Sequence, residues 1–161
     1  MKQIDSYSWF LQKDFDYLNK LLPNDIINQL EISNKTVIGI DIYKYSKKEE
    51  NQQKLIPFIF DILYRQTEKW LNEYEIEFFK TNYIELRKDF IHTGDGGFQI
   101  VDNPIYGILF ILYFYTALSL YNNNQFLYNL HNIVEDIEIR SCMTLGNVYH
   151  YDNNYFGKPI I

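Results

Sequence analysis

The sequence predicts an α+β fold, with helices on one face of a mostly antiparallel sheet, from three observations. A β-branched apolar run at 35–42 leads into a long helix-spaced stretch. Gly94-Asp95-Gly96-Gly97, between two short apolar runs, is a hairpin signal. A second apolar helix then separates the hairpin from a strand-like segment at 137–151.

In chain order, residues 1–34 read as a helical extension. Asp14, Tyr17, Leu18, Leu21 and Leu22 form a helical stripe, and Pro23-Asn24-Asp25 restarts a short helix through Leu30. The remaining residues, 35–161, form a single predicted domain. The 35–42 run is predicted as a strand buried on both faces. Ser46 is the expected cap of the next helix, with Glu49 and Glu50 in its first turn, where the helix dipole favours acids. Leu55, Ile59, Ile62 and Leu63 mark its inner side, and Pro57 predicts a kink. Residues 70–83 fit either a second helix or a helix followed by an irregular link.

The hairpin pairs 90–93 with 98–101. Asn103-Pro104 opens the apolar helix, which ends near Asn122-Asn123-Asn124, and a further helix covers 125–134. Residues 137–151 form one or two strands, and Asp152-Asn153-Asn154 a turn. The order strand, helices, hairpin, helix, strand is that of a ferredoxin-like sandwich.

Composition narrows the function classes. A chain of 161 residues with 47% hydrophobic and 18% aromatic content can bury a real core. Its net charge of −6 argues against non-specific nucleic-acid binding, which needs a Lys/Arg surface. Cys142 is the sole cysteine, so no disulfide framework is expected, and a reducing cytoplasmic setting follows. His131 and His150 lack zinc spacing, and His92 reads as a strand residue. The uncharged 105–121 run approaches membrane-span length. Its Gly107, Thr116, Ser119 and tyrosines, without close Lys or Arg flanks, favour a buried or dimer-packing helix instead.

Asp41, in Gly39-Ile40-Asp41-Ile42-Tyr43-Lys44-Tyr45-Ser46, and Asp95 each close an apolar run and open a turn. Two carboxylates so presented can hold a hard divalent cation together with nucleotide phosphates, if they share a pocket. Otherwise they are ordinary turn residues. Arg140 is either part of the same site or one half of a strand-face ion pair.

These motifs resemble the catalytic domain of class III nucleotidyl cyclases. Residues 40–46 resemble their Asp-Ile-x-Gly-Phe-Ser/Thr segment, and His92-Thr93-Gly94-Asp95-Gly96 their Gly-Asp hairpin. Arg140-Ser141-Cys142-Met143-Thr144-Leu145-Gly146 has the Arg-to-Gly spacing of their Arg-x-Gly-x-x-x-Gly strand, and Tyr155-Phe156-Gly157 resembles the aromatic-Gly before their catalytic helix. The resemblance implies two Mg²⁺ or Mn²⁺ ions on Asp41, Asp95 and the Ile42 carbonyl. They would align a nucleoside triphosphate so that its 3′-hydroxyl attacks the α-phosphorus and pyrophosphate leaves. It implies phosphate contacts from the amides of Tyr43, Lys44, Tyr45 and Ser46 and from the Gly94 turn and Arg140, in a homodimer with sites at the interface.

Ile91 and Asn154 stand at the family's base-reading positions, where purine cyclases carry Lys or an acid and then Asp. An apolar Ile91 offers no hydrogen bond to a purine edge. The pattern is similar to bacterial pyrimidine cyclases of anti-phage signalling, which make cyclic CMP or cyclic UMP. Four residues after Gly157 the family has a transition-state Asn, with an Arg four further on; here the first position is Ile161, the last residue. A fragment of a longer cyclase, a catalytically inactive nucleotide-binding or dimerisation module, and an unrelated interaction domain therefore stay open as readings.

Overall fold

The 35–42 run becomes the middle of a five-stranded sheet. The computed structural model describes residues 31–75, 85–151 and 154–160. Strand β1 (Glu31–Ile42) is followed by a 3-10 turn (Tyr45–Lys47) and helix α1 (Glu50–Tyr74). A second 3-10 turn (Leu86–Asp89) leads into β2 (Phe90–His92) and β3 (Gly96–Val101). Helices α2 (Pro104–Asn122) and α3 (Tyr128–Val134), strands β4 (Ile139–Tyr151) and β5 (Asn154–Phe156), and a last 3-10 turn (Lys158–Ile160) complete it. Among the described residues every strand pairing is antiparallel, in the order β2-β3-β1-β4-β5.

Alternation along β1 sends side chains to opposite faces. Ile38, Ile40 and Ile42 join Ile59 and Leu63 of α1, Phe110 and Phe114 of α2 and Val134 of α3 in one core, so the three helices share one side of the sheet. Val37 meets Ile100 and Val148 on the other side, beneath Phe98, Tyr155 and Ile160. Burial on both faces is therefore real at 37–38. The helix-free side thins out towards Gly39 and Asp41.

Local chemistry sets the helix ends. Helix α1 starts three residues later than Ser46 predicts: Glu49 is the N-cap, and its side chain and that of Gln52 cap each other's backbone amides. Pro57 sits inside α1 without ending it. It has no N–H for the Gln53 carbonyl, and the Tyr45 hydroxyl donates there instead, at 3.0 Å. Asn103 caps α2 by accepting from the Tyr106 amide at 3.1 Å, with Pro104 in the first turn as expected. Helix α3 is shorter than the predicted 125–134 because Leu127 adopts a left-handed conformation, φ 57°.

Strand β1 begins at Glu31, before the predicted 35, because its pairing with β4 continues to Glu31↔His150. Residues 137–151 give one strand, not two. The predicted helices within 1–30, most of the 70–83 alternative and the 152–153 turn lie outside the described residues. Helix α2 is also the one described helix long and apolar enough to cross a membrane, by length and composition. It packs on the sheet through Gly107, Phe110, Phe114 and Tyr121, while Ile105, Ile108 and Leu112 are exposed.

Candidate functional site

The end of β1 gathers most of the residues that the sequence singles out. Asp41 is paired with Gly96 of β3 on one side and with Arg140 of β4 on the other. One residue on, the Ile42 amide donates to the Asp95 carbonyl at 2.8 Å, and the Tyr43 amide to the Glu138 carbonyl at 2.9 Å. The chain segments carrying Asp41 and Asp95 are thus held side by side. Glycine makes the approach possible. A Cβ on Gly96 would overlap the Ile40 carbonyl oxygen and lie 3.0 Å from the Asp41 Cα, and one on Gly97 would overlap the Ile91 carbonyl oxygen. Gly94, with φ 102°, makes the turn itself.

Asp41 faces the helix-free side, where Arg140 grips it. The Arg140 Nε donates to Asp41 Oδ2 at 2.8 Å, and Nη2 donates to the same oxygen. Cross-strand neighbours of opposite charge meet readily in an antiparallel ladder. The Asp41 carboxylate, first by hydrogen bond and then by charge, holds the Arg140 guanidinium above the usual arginine range, and Asp95 contributes through its field. The Tyr43 ring lies 5.2 Å from the Arg140 guanidinium and 4.7 Å from the Lys44 ammonium, a double cation–π contact. Asp41 and Arg140 border an open groove of about 420 Å³ with Gly39, Thr93, Phe98 and Cys142.

The expected phosphate cradle over 43–46 is smaller than predicted. Tyr43's amide is committed to Glu138, Lys44 adopts a left-handed conformation, and only a three-residue 3-10 turn follows. Helix α1 starts beyond it, behind Glu49 and Glu50. Ile91 pairs with Phe98 and packs on the helix-free side, two strands from Asp41. Asn154 pairs with Tyr151, beyond the Glu31↔His150 pair and so more than ten residues along the sheet from Asp41, over 30 Å of strand. One protomer does not bring Asn154 to Asp41.

Carboxylate and carbonyl oxygens are the donor types that a magnesium-type ion takes one or two at a time, alongside phosphates. Among the described residues no three His, Cys, Asp or Glu side chains cluster into an all-protein cage. Arg140 stands where a cation on Asp41 would compete with it.

A second concavity escaped sequence reading. Between α1 and the hairpin lies a cavity of about 110 Å³ with Phe60, Tyr64 and Phe90 in its wall and Asp61, Arg87 and His92 among its polar lining. Asp61 accepts from Arg65 at 2.9 Å and pairs with Arg87, a contact between residues 26 positions apart that no local motif signals. No protein-family model, curated protein or solved structure matches this chain.

Proposed function

We propose that the chain is a nucleotidyl cyclase-like domain of the class III type. It would convert a nucleoside triphosphate, CTP or UTP in particular, to its 3′,5′-cyclic nucleotide and pyrophosphate. The observation that carries this reading is the Ile42–Asp95 backbone bond, which keeps the two aspartate-bearing segments adjacent. The element order β-α-β-β-α-α-β-β, a ferredoxin-like β-α-β-β-α-β succession with α3 and β5 added, lends support. Two Mg²⁺ or Mn²⁺ ions on Asp41, Asp95 and the Ile42 carbonyl would neutralise the triphosphate and acidify the ribose 3′-hydroxyl.

The chain's own groups do the rest. Arg140, beside Asp41, exchanges its carboxylate partner for phosphate oxygens, which its planar fork matches. Lys44 adds a second positive charge, and the amides of Lys44, Tyr45 and Ser46 are the remaining cradle. Base contacts from both Ile91 and Asn154 require a second copy, since Asn154 lies far from Asp41 within one protomer. The working form in this reading is a homodimer, and the resemblance to pyrimidine cyclases adds a cytoplasmic, anti-phage setting. Incubation with each of the four NTPs and Mn²⁺, with chromatography of the products, tests the reading: cyclic CMP or cyclic UMP is expected, and no cyclic product from any NTP overturns it.

The Asp41–Arg140 pair favours a second reading, because it neutralises one of the two carboxylates. In that case the domain binds nucleotide or dimerises without turnover. Metal-dependent NTP binding with no product identifies it.

A further inference from the structure

We infer that the cavity between α1 and the β2–β3 hairpin is a binding site for a single six-membered nitrogen heterocycle with the dimensions of a pyrimidine base. Its volume of about 110 Å³ is of the order of the ~150 Å³ that holds one benzene ring, so a single ring fills it and a fused bicycle would project into solvent. The wall is aromatic. Phe90 packs against Phe60 at 5.9 Å and edge-on against Tyr64 at 5.2 Å, a pre-formed surface for a flat ring. The Tyr64 hydroxyl is committed to Gln99, so this ring offers its face and edge rather than its oxygen.

The polar lining argues against a purely apolar occupant. Asp61 and Arg87 put a carboxylate acceptor next to guanidinium donors, and the His92 ring stands 4.7 Å from that of Phe90. Covering this ion pair with hydrocarbon would strip it of water without replacement. A ring whose edge carries donors and acceptors in alternation restores those bonds. The cavity adjoins the β1 end through Ile42 and Gly94, but its aromatic wall and its Asp61–Arg87 edge lie within one protomer and include neither Asp41 nor Asp95, so base binding there is testable without metal.

The test is calorimetric titration of the full chain in EDTA with cytidine, uridine, adenosine, guanosine and phenol. Cytidine or uridine is expected to bind about tenfold or more tighter than either purine nucleoside and than phenol. Asp61→Asn and Arg87→Gln change partly exposed side chains, and their folding is checked by circular dichroism. Each is expected to weaken pyrimidine binding about tenfold. Absence of pyrimidine binding, equal binding of purines or phenol, or indifference to both substitutions in folded protein overturns the inference. Because metal is chelated, these outcomes are separate from success or failure of Mn²⁺-dependent NTP turnover.

Discussion

Replacing Gly96 by Ala tests how tightly the hairpin must approach β1 for the candidate site to exist. The added methyl would overlap the Ile40 carbonyl oxygen and stand 2.9 Å from its carbon and 3.0 Å from the Asp41 Cα. All three are backbone atoms in the middle of the sheet, so β3 must move away from β1. Overpacking of this kind costs about 1–3 kcal/mol. Loosening the 2.8 Å Ile42–Asp95 bond adds about 0.5–1.5 kcal/mol. The total, about 1.5–4.5 kcal/mol, is a large share of the ~5–15 kcal/mol that stabilises a typical domain. With an m-value of about 2 kcal/mol per M, the urea midpoint should fall by about 1–2 M.

Gly94→Ala is the control. Nothing lies within 4 Å of its added methyl, and only the φ of 102° resists, at about 1–2 kcal/mol. Gly96→Ala should also weaken Mn²⁺-dependent NTP binding beyond its effect on folding, because it separates the segments carrying the two aspartates. A Gly96→Ala protein within about 0.5 kcal/mol of the parent would refute the close-approach reasoning.

Three other substitutions or conditions have defined outcomes. Tyr64→Phe removes the donor to the buried Gln99 Oε1 and should cost about 1–3 kcal/mol in urea unfolding; a neutral result would mean that Gln99 finds another donor. Leu112→Gln, on the outward side of α2 at 59% exposure, should leave stability within about 0.5 kcal/mol, and a larger loss would mean that this side is covered in solution. Burial raises the Tyr121 hydroxyl from 10.0 to about 12 and pushes Tyr64 up as well. The folded protein therefore keeps protons that the unfolded chain releases. The stability linked to Tyr121 is complete below pH 10 and declines as pH rises towards 12, which denaturation midpoints and tyrosinate absorbance across that range would register.

Much of the frame is legible in the sequence because it rests on local chemistry. Asn103-Pro104 announces α2, the β-branched 35–42 run announces β1, and Gly94-Asp95-Gly96 announces the hairpin. Ser46, the commoner cap residue, predicts too early a start for helix α1; Glu49 and Gln52, three apart, form the capping box that sets it. Gly96 and Gly97 read as turn residues, yet both lie in β3, where the neighbouring strands leave no room for a side chain.

The site was legible in part, for the same reason. Asp41 and Asp95 can be found as strand-end acids, but their neighbourhood follows from register, which joins residues more than fifty positions apart. Register likewise put Arg140 on Asp41 and sent Asn154 to the opposite end of the sheet. The Asp61–Arg87 cavity depends on how α1 lies across the hairpin, and no residue spacing carries that information.

A double-substitution cycle on Mn²⁺-dependent NTP binding tests most directly whether the two carboxylates share one ion site. Calorimetry would compare the parent with Asp41→Ala, Asp95→Ala and the doubly substituted protein, each checked for native circular dichroism. A shared site predicts that either single change removes most of the binding and that the second adds little. Losses that simply add, or NTP affinity untouched by either change, would contradict it.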